Sequence, residues 1–158
     1  MIGKLARQLG KKLKARKSVL VTAESCTGGW VAQAVTSVAG SSDWFERGYV
    51  TYSNAAKREA LGVGRRALER QGAVSEATAR AMARGALKAS RGRGTIALAV
   101  TGIAGPGGGS PEKPVGMVCF AWARGRKIAS ETKRFRGGRT SVRRKSVIHA
   151  LRGVLKWL

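Results

Sequence analysis

The chain has 158 residues, 43% of them hydrophobic, with two cysteines and a formal net charge of +23 from 31 Lys and Arg against eight Asp and Glu. This composition excludes a disordered chain and a disulfide framework, and no apolar run approaches the roughly 20 residues that a membrane-spanning helix needs. We therefore expect one globular domain over residues 1–158, located in the cytoplasm and without a membrane segment.

Hydrophobic periodicity and turn residues predict ten elements in the chain order α-β-α-β-α-α-β-β-β-α. Their expected positions are residues 2–16, 18–23, 26–38, 48–52, 55–61, 75–90, 95–101, 115–123, 128–135 and 140–158. Residues 95–101 form a continuous apolar run, which is typical of a central strand covered on both faces. The absence of a repeat or a second boundary favours a single three-layer α/β/α domain with a mixed β-sheet.

The first strand leads into the sequence Ala23-Glu24-Ser25-Cys26-Thr27-Gly28-Gly29 at the predicted start of a helix. A serine there lies among backbone N–H groups without intrahelical partners, at the positive end of the helix dipole, where a developing anion is stabilised. Glycines allow a substrate to approach the backbone closely. Ser25 is therefore a candidate nucleophile. The alternative is that Ser25 or Thr27 only caps the helix.

The residue inventory limits the base that can activate Ser25. His149 is the single histidine, in the C-terminal helical pattern, and Asp43 is the single aspartate. Neither a zinc site nor a Ser-His-Asp triad is therefore expected. Lys57, one helical turn beyond Tyr52-Ser53-Asn54, is a candidate base because desolvation or a positive field lowers the pKa of a lysine. The alternative is an ordinary solvated lysine on a helix surface.

A glycine-rich loop over residues 102–111 follows the predicted central strand, which ends at Thr101. The loop carries no Walker A pattern. It also lacks a dinucleotide fingerprint, because Ser110 stands where the third glycine is needed and a strand follows. The loop is either a flexible crossover or a wall that offers backbone N–H groups to an anionic substrate. The pattern by itself favours neither interpretation.

Four motifs at residues 23–29, 48–57, 72–76 and 101–108 occur in this order and resemble the CinA C-terminal domain family. The resemblance runs from about Leu5 to Leu158. Stand-alone members of that family are nicotinamide-nucleotide amidohydrolases. The resemblance therefore implies hydrolysis of nicotinamide mononucleotide to nicotinate mononucleotide and ammonia, with no metal and no cofactor.

The resemblance also implies roles for individual residues. Ser25 looks like the nucleophile and Lys57 like its general base, while Tyr52 would assist proton transfer or orient Lys57. Further substrate contacts are expected from Ser42, Asn54, Thr101, Gly102, Gly105 and Arg139. Arg139 matches an arginine that would bind the substrate phosphate, a task that suits a bidentate guanidinium. Gly138 precedes it, where family members more often have an acid.

The charge of +23 leaves a second class of function open. A strongly basic surface attracts phosphate-bearing partners, unless it is only the solvated surface of an arginine-rich protein. The alternative function is a nucleic-acid-binding or competence-associated protein with a vestigial catalytic site. The joint presence of Ser25, Tyr52 and Lys57 favours the enzyme. Because the sequence has no recognised DNA-reading motif and only 6% aromatic residues, we expect its nucleic-acid binding to be weak and nonspecific. Separately, we expect the protein to form a homo-oligomer.

Overall fold

The computed structural model describes residues 1–158. It contains six helices, which are α1 (Ile2–Ala15), α2 (Trp30–Thr36), α3 (Asn54–Leu61), α4 (Arg65–Gln71), α5 (Glu76–Ala89) and α6 (Arg139–Lys156). Its five strands are β1 (Leu20–Glu24), β2 (Phe45–Val50), β3 (Ile96–Gly102), β4 (Met117–Arg124) and β5 (Lys127–Arg134). No helix is long and apolar enough to cross a membrane.

The five strands form one mixed sheet in the order β2-β1-β3-β4-β5. Strand β1 runs parallel to both β2 and β3, and the remaining pairs are antiparallel. Glu24, the last residue of β1, pairs with Val50 on one side and Val100 on the other. The chain therefore leaves three parallel strands at the same edge of the sheet, which is where α/β proteins bind ligands. The predicted α/β class with a mixed sheet is confirmed.

Helices cover both faces of the sheet. Helices α1, α2 and α6 pack on large strand residues such as Leu98 and Phe120. Helices α3, α4 and α5 pack on the opposite face, where the strand residues are mostly alanine and the layers can approach closely. Helix α5 also meets α3 at Gly85, where a Cβ would overlap the carbonyl oxygen of Leu61. Strand β3 is buried on both faces, as its continuous apolar run predicts.

Two helices differ from the sequence prediction. Helix α2 begins at Trp30, not at Cys26, because Gly28 and Gly29 adopt φ of +60° and +96°, outside the right-handed helical region. Ser25 therefore lies in a turn that precedes the helix by several residues. Helix α4 was not predicted, because its seven residues are mostly charged or polar and bury only Leu68.

Candidate active site

A small cavity of about 170 Å³ lies at the carboxyl ends of β1, β2 and β3. Ten residues line it, namely Ser25, Cys26, Tyr52, Lys57, Ala73, Val74, Thr101, Gly102, Ala104 and Arg139. Larger and more open concavities lie elsewhere, one of about 660 Å³ beside the β4–β5 turn. The small cavity is the candidate site because it alone joins a hydroxyl nucleophile to a buried lysine.

Ser25 and Lys57 meet inside this cavity. The Lys57 Nζ atom lies 3.0 Å from Ser25 Oγ, although the two residues are 32 positions apart. Lys57 is 1% exposed, and its Nζ also donates to the carbonyl oxygens of Thr51 and Tyr52, both at 3.0 Å. Burial lowers the pKa of Lys57 because it penalises the charged ammonium.

The three partners of Lys57 determine what its neutral form can do. Carbonyl oxygens only accept hydrogen bonds, so Thr51 and Tyr52 take the two hydrogens of a neutral amine. The lone pair of the amine then remains for the third partner, Ser25 Oγ. A neutral lysine held in this way can accept the hydroxyl proton of Ser25 and so act as its base.

The turn of residues 25–29 is anchored by Glu24, which sequence reasoning missed. The carboxylate of Glu24 is fully buried and accepts hydrogen bonds from the backbone N–H of Val31 (2.7 Å) and Ala32 (3.0 Å). It also accepts from the Thr27 hydroxyl at 2.6 Å. Glu24, and neither Ser25 nor Thr27, therefore caps α2. An acid seven residues before the N–H that it binds does not match the spacing of a capping motif.

Two backbone donors directly follow Ser25. The N–H groups of Cys26 and Thr27 make no hydrogen bond to another residue of the chain, whereas those of Ser25 and Gly28 bind Val100 O and Ser25 O, both at 3.0 Å. Unpaired N–H groups next to a nucleophile are the usual donors of an oxyanion hole. Burial raises the pKa of the neighbouring Cys26 thiol to about 12, so Cys26 stays protonated at neutral pH.

Arg139 and Tyr52 form the outer part of the site. Arg139, the first residue of α6, donates from Nη1 to the Gly105 carbonyl at 2.8 Å and from Nη2 to the Tyr52 hydroxyl at 3.4 Å. Tyr52 is 64% exposed, and no hydrogen bond joins its hydroxyl to Lys57. Tyr52 thus contacts Lys57 through its carbonyl oxygen, while its side chain contacts Arg139.

Thr101 and Gly102 line the inner wall of the cavity at the end of β3. The Thr101 hydroxyl donates to the Ala73 carbonyl at 2.8 Å, which joins the wall to the segment before α5. A Cβ at Gly102 would lie 2.7 Å from the Val118 side chain, so only glycine fits there. Gly105 does not line the cavity, but its carbonyl holds Arg139.

Two residues expected at the site lie away from the cavity. Ser42 belongs to a short 3₁₀ turn before β2, and β2 begins opposite Leu20, the first residue of β1. Ser42 is therefore at the opposite end of the sheet from Ser25, which follows the last residue of β1. Asn54 is an exposed first residue of α3 whose side chain does not line the cavity. Neither side chain lines the cavity, and their contacts with substrate remain predictions.

Comparisons with known proteins agree on one family. The CinA C-terminal domain matches residues 2–158. The nicotinamide-nucleotide amidohydrolase PncC of Pseudomonas putida is 53% identical over 152 residues, which cover 96% of this chain and 94% of the relative. The PncC of Escherichia coli (strain K12) is 54% identical over 149 residues, which cover 93% of this chain and 88% of the relative. The crystal structure of competence/damage inducible protein CihA from Agrobacterium tumefaciens has a TM-score of 0.93 and 47% identity, covering 98% of this chain and 94% of that one.

Proposed function

Because the chain belongs to the CinA C-terminal domain family, we propose that it hydrolyses the carboxamide of nicotinamide mononucleotide to nicotinate mononucleotide and ammonia. The observation that carries the proposal is the 3.0 Å contact between Lys57 Nζ and Ser25 Oγ in a cavity that Arg139 also lines. The relatives named for this activity cover almost the whole chain, which supports the same substrate.

In the first half of the reaction, neutral Lys57 takes the proton of Ser25 while Oγ attacks the carboxamide carbon. The carbonyl oxygen of the substrate becomes negative and accepts hydrogen bonds from the N–H groups of Cys26 and Thr27. The Lys57 ammonium then returns its proton to the amide nitrogen. The C–N bond breaks, ammonia leaves, and the nicotinoyl group remains as an ester on Ser25.

In the second half, a water molecule takes the place of ammonia. Lys57 accepts a proton from this water as its oxygen attacks the ester carbon, and the same two N–H groups hold the second oxyanion. Collapse of this intermediate breaks the bond to Ser25 Oγ, which regains its proton from Lys57. Nicotinate mononucleotide is released, and both side chains return to their starting states.

Arg139 supplies the recognition of the phosphate in this proposal. A cavity of about 170 Å³ is smaller than the sites that hold whole drug-sized ligands, so it accepts the pyridine ring and its carboxamide while the phosphate stays outside. Arg139 lies at that outer edge, and contacts to Gly105 and Tyr52 keep its guanidinium in place. The remaining N–H groups of Arg139 are free to bind phosphate oxygens.

The decisive experiment incubates the purified protein with nicotinamide mononucleotide and measures ammonia and nicotinate mononucleotide in equal amounts. Ser25→Ala should reduce turnover to background while circular dichroism stays normal, because it removes only the nucleophilic oxygen. Ser37→Ala is the matched control, since Ser37 is an exposed residue at the carboxyl end of α2, and it should retain full activity. Absence of product from the wild-type protein, or clear turnover by folded Ser25→Ala, would refute the proposal.

A further inference from the structure

Arg143 contacts the turn that carries Ser25, although 117 residues separate it from Cys26. It lies on the second turn of α6. Its Nε donates to the Cys26 carbonyl at 3.1 Å, and its Nη2 donates to the Thr27 carbonyl at 3.0 Å. The guanidinium also lies 5.6 Å from the centre of the Trp30 ring, a cation–π contact. One planar group therefore binds two successive carbonyls of the turn.

These contacts determine which way the Cys26–Thr27 peptide faces. In a planar trans peptide the N–H points away from the C=O, so binding of Arg143 to the Cys26 carbonyl directs the Thr27 N–H to the other side. Cys26 lines the cavity, whereas Arg143 does not. The Thr27 N–H is thus turned away from the guanidinium, and neither it nor the Cys26 N–H has an acceptor in another residue of the chain.

Residue 27 is held from two directions. Its carbonyl binds Arg143 and also accepts from Trp30 N at 3.1 Å, while its hydroxyl donates to the buried Glu24 carboxylate. These contacts leave little freedom to rotate the peptide between Cys26 and Thr27. Such preorganisation is what makes an oxyanion hole effective, because its donors do not have to reorient when charge develops.

We propose that Arg143 is a positioning residue of the oxyanion hole. It holds the Cys26–Thr27 peptide so that the Thr27 N–H, next to the N–H of Cys26, receives the oxygen that becomes negative when Ser25 attacks. Its positive charge polarises the Cys26 carbonyl and thereby strengthens the Thr27 N–H as a donor. This inference rests on the proposed function for Ser25 as nucleophile, and it does not depend on which carbonyl or phosphoryl compound is attacked.

The kinetic test replaces Arg143 with lysine, which keeps the charge but loses the fork that binds both carbonyls. Loss of one oxyanion donor typically lowers kcat about 10²–10³-fold, so indirect loosening of the donors should lower it about 10–100-fold. KM for nicotinamide mononucleotide should stay nearly unchanged, because the ground-state amide does not depend on these donors. The matched control is Arg144→Lys, an exposed neighbour on α6, which should leave both constants unchanged.

A second test does not require the proposed substrate. An alkyl phosphonofluoridate reacts with Ser25 when Oγ bonds to phosphorus, the P–F bond breaks, fluoride leaves and Lys57 takes the hydroxyl proton. The phosphoryl oxygen then occupies the oxyanion hole. Intact-mass measurement over time should show slower labelling of Arg143→Lys, in the same proportion as its loss of kcat, and normal labelling of Arg144→Lys. Ser25→Ala should not be labelled.

A third variant separates orientation from a general loss of structure. Arg143→Ala should label slowly, and added ethylguanidinium should restore part of the rate because it can bind the same two carbonyls. Ethylammonium at equal concentration should not restore it. Circular dichroism at the assay temperature establishes that each variant is folded before rates are compared.

The outcomes separate this inference from the proposed function. Equal labelling of Arg143→Lys and the wild type would overturn the role of Arg143, and so would a rise in KM with unchanged kcat. If the wild type is labelled in an Arg143-dependent manner but releases no ammonia from nicotinamide mononucleotide, the proposed substrate is wrong and the positioning role stands. If the wild type is neither labelled nor active, both proposals are wrong.

Discussion

At the scale of single residues, the environment of Lys57 decides the chemistry that the site can perform. A lysine in water is protonated at neutral pH and cannot act as a base. Burial of Lys57 lowers its pKa, and two carbonyl oxygens leave its lone pair for Ser25.

The pH dependence of activity follows from this lowered pKa. Only the neutral amine of Lys57 can accept a proton, so kcat/KM should rise with pH as Lys57 loses its proton. Because the pKa of Lys57 is lowered, the midpoint of this rise should lie below 10.5, the ordinary pKa of a lysine. Lys57→Met should abolish turnover at every pH. His149→Ala should have almost no effect, because His149 contacts Glu131 and the aromatic rings of β4, away from the cavity. Steady-state rates over a pH series test this, and a larger loss in His149→Ala than in Lys57→Met would contradict it.

Arg139 is expected to act on binding more than on chemistry. Arg139→Lys keeps the charge but loses the planar fork, so KM for nicotinamide mononucleotide should rise by the equivalent of about 1–3 kcal/mol while kcat changes little. The comparison substrate is nicotinamide riboside, which lacks the phosphate and should be hydrolysed equally by both proteins. An equal loss on both substrates would exclude phosphate recognition by Arg139.

At the scale of elements, the site depends on a turn that interrupts the passage from β1 to α2. Left-handed Gly28 and Gly29 delay the helix until Trp30, and this leaves Cys26 and Thr27 with unpaired N–H groups. Glu24 satisfies the first N–H groups of α2 from within the sheet. The helix is thereby capped without using the donors next to Ser25.

Replacement of Glu24 should destabilise this arrangement. In Glu24→Gln one carboxylate oxygen becomes an NH₂ group, which cannot accept from the N–H groups of Val31 or Ala32. The free energy of unfolding should fall by about 1.5–3 kcal/mol, the typical value for hydrogen bonds to a charged group. Urea titration measures this change. Glu59→Gln, at an exposed position on α3, is the control and should be neutral; an equally stable Glu24→Gln would show that the cap is dispensable.

At the scale of the whole molecule, the basic charge is almost entirely uncompensated. Only four of the 31 Lys and Arg side chains, those of Lys14, Arg47, Arg65 and Lys133, form ion pairs with a carboxylate. The resulting field favours anionic ligands, including the proposed nucleotide. The single domain over residues 1–158, the homo-oligomer and the cytoplasmic location remain predictions.

The uncompensated charge predicts weak, nonspecific DNA binding. Duplex DNA should bind at low salt, and binding should be lost near physiological salt. The logarithm of the association constant should fall linearly with the logarithm of the salt concentration, with a slope of about −0.9 for each neutralised phosphate. A titration over a salt series, with a second duplex of shuffled sequence, measures both effects. Submicromolar binding at physiological salt, or competition between DNA and nicotinamide mononucleotide, would instead support the nucleic-acid function.

Local sequence patterns were enough to predict the α/β class, most of the elements and the place of Ser25 after the first strand. Apolar periodicity and turn residues depend only on residues close together in the sequence, so they can be recognised without knowledge of the fold. The same local rules placed the start of α2 too early and missed α4, because capping by Glu24 and burial of Leu68 come from packing. The roles of Ser25 and Lys57 were inferred from family motifs. Periodicity alone did not exclude that Lys57 is an ordinary solvated lysine on a helix surface.

Which polar groups lie in contact depends on the packing of the whole chain. Strand register brings Ser25 to Lys57 and places Ser42 at the far end of the sheet. Packing of α6 brings Arg143 to the Ser25 turn. Such contacts join residues 32 and 117 positions apart, and their geometry depends on how whole elements pack together. Burial, which lowers the pKa of Lys57, is likewise a property of the assembled layers and not of the residues beside it in the chain.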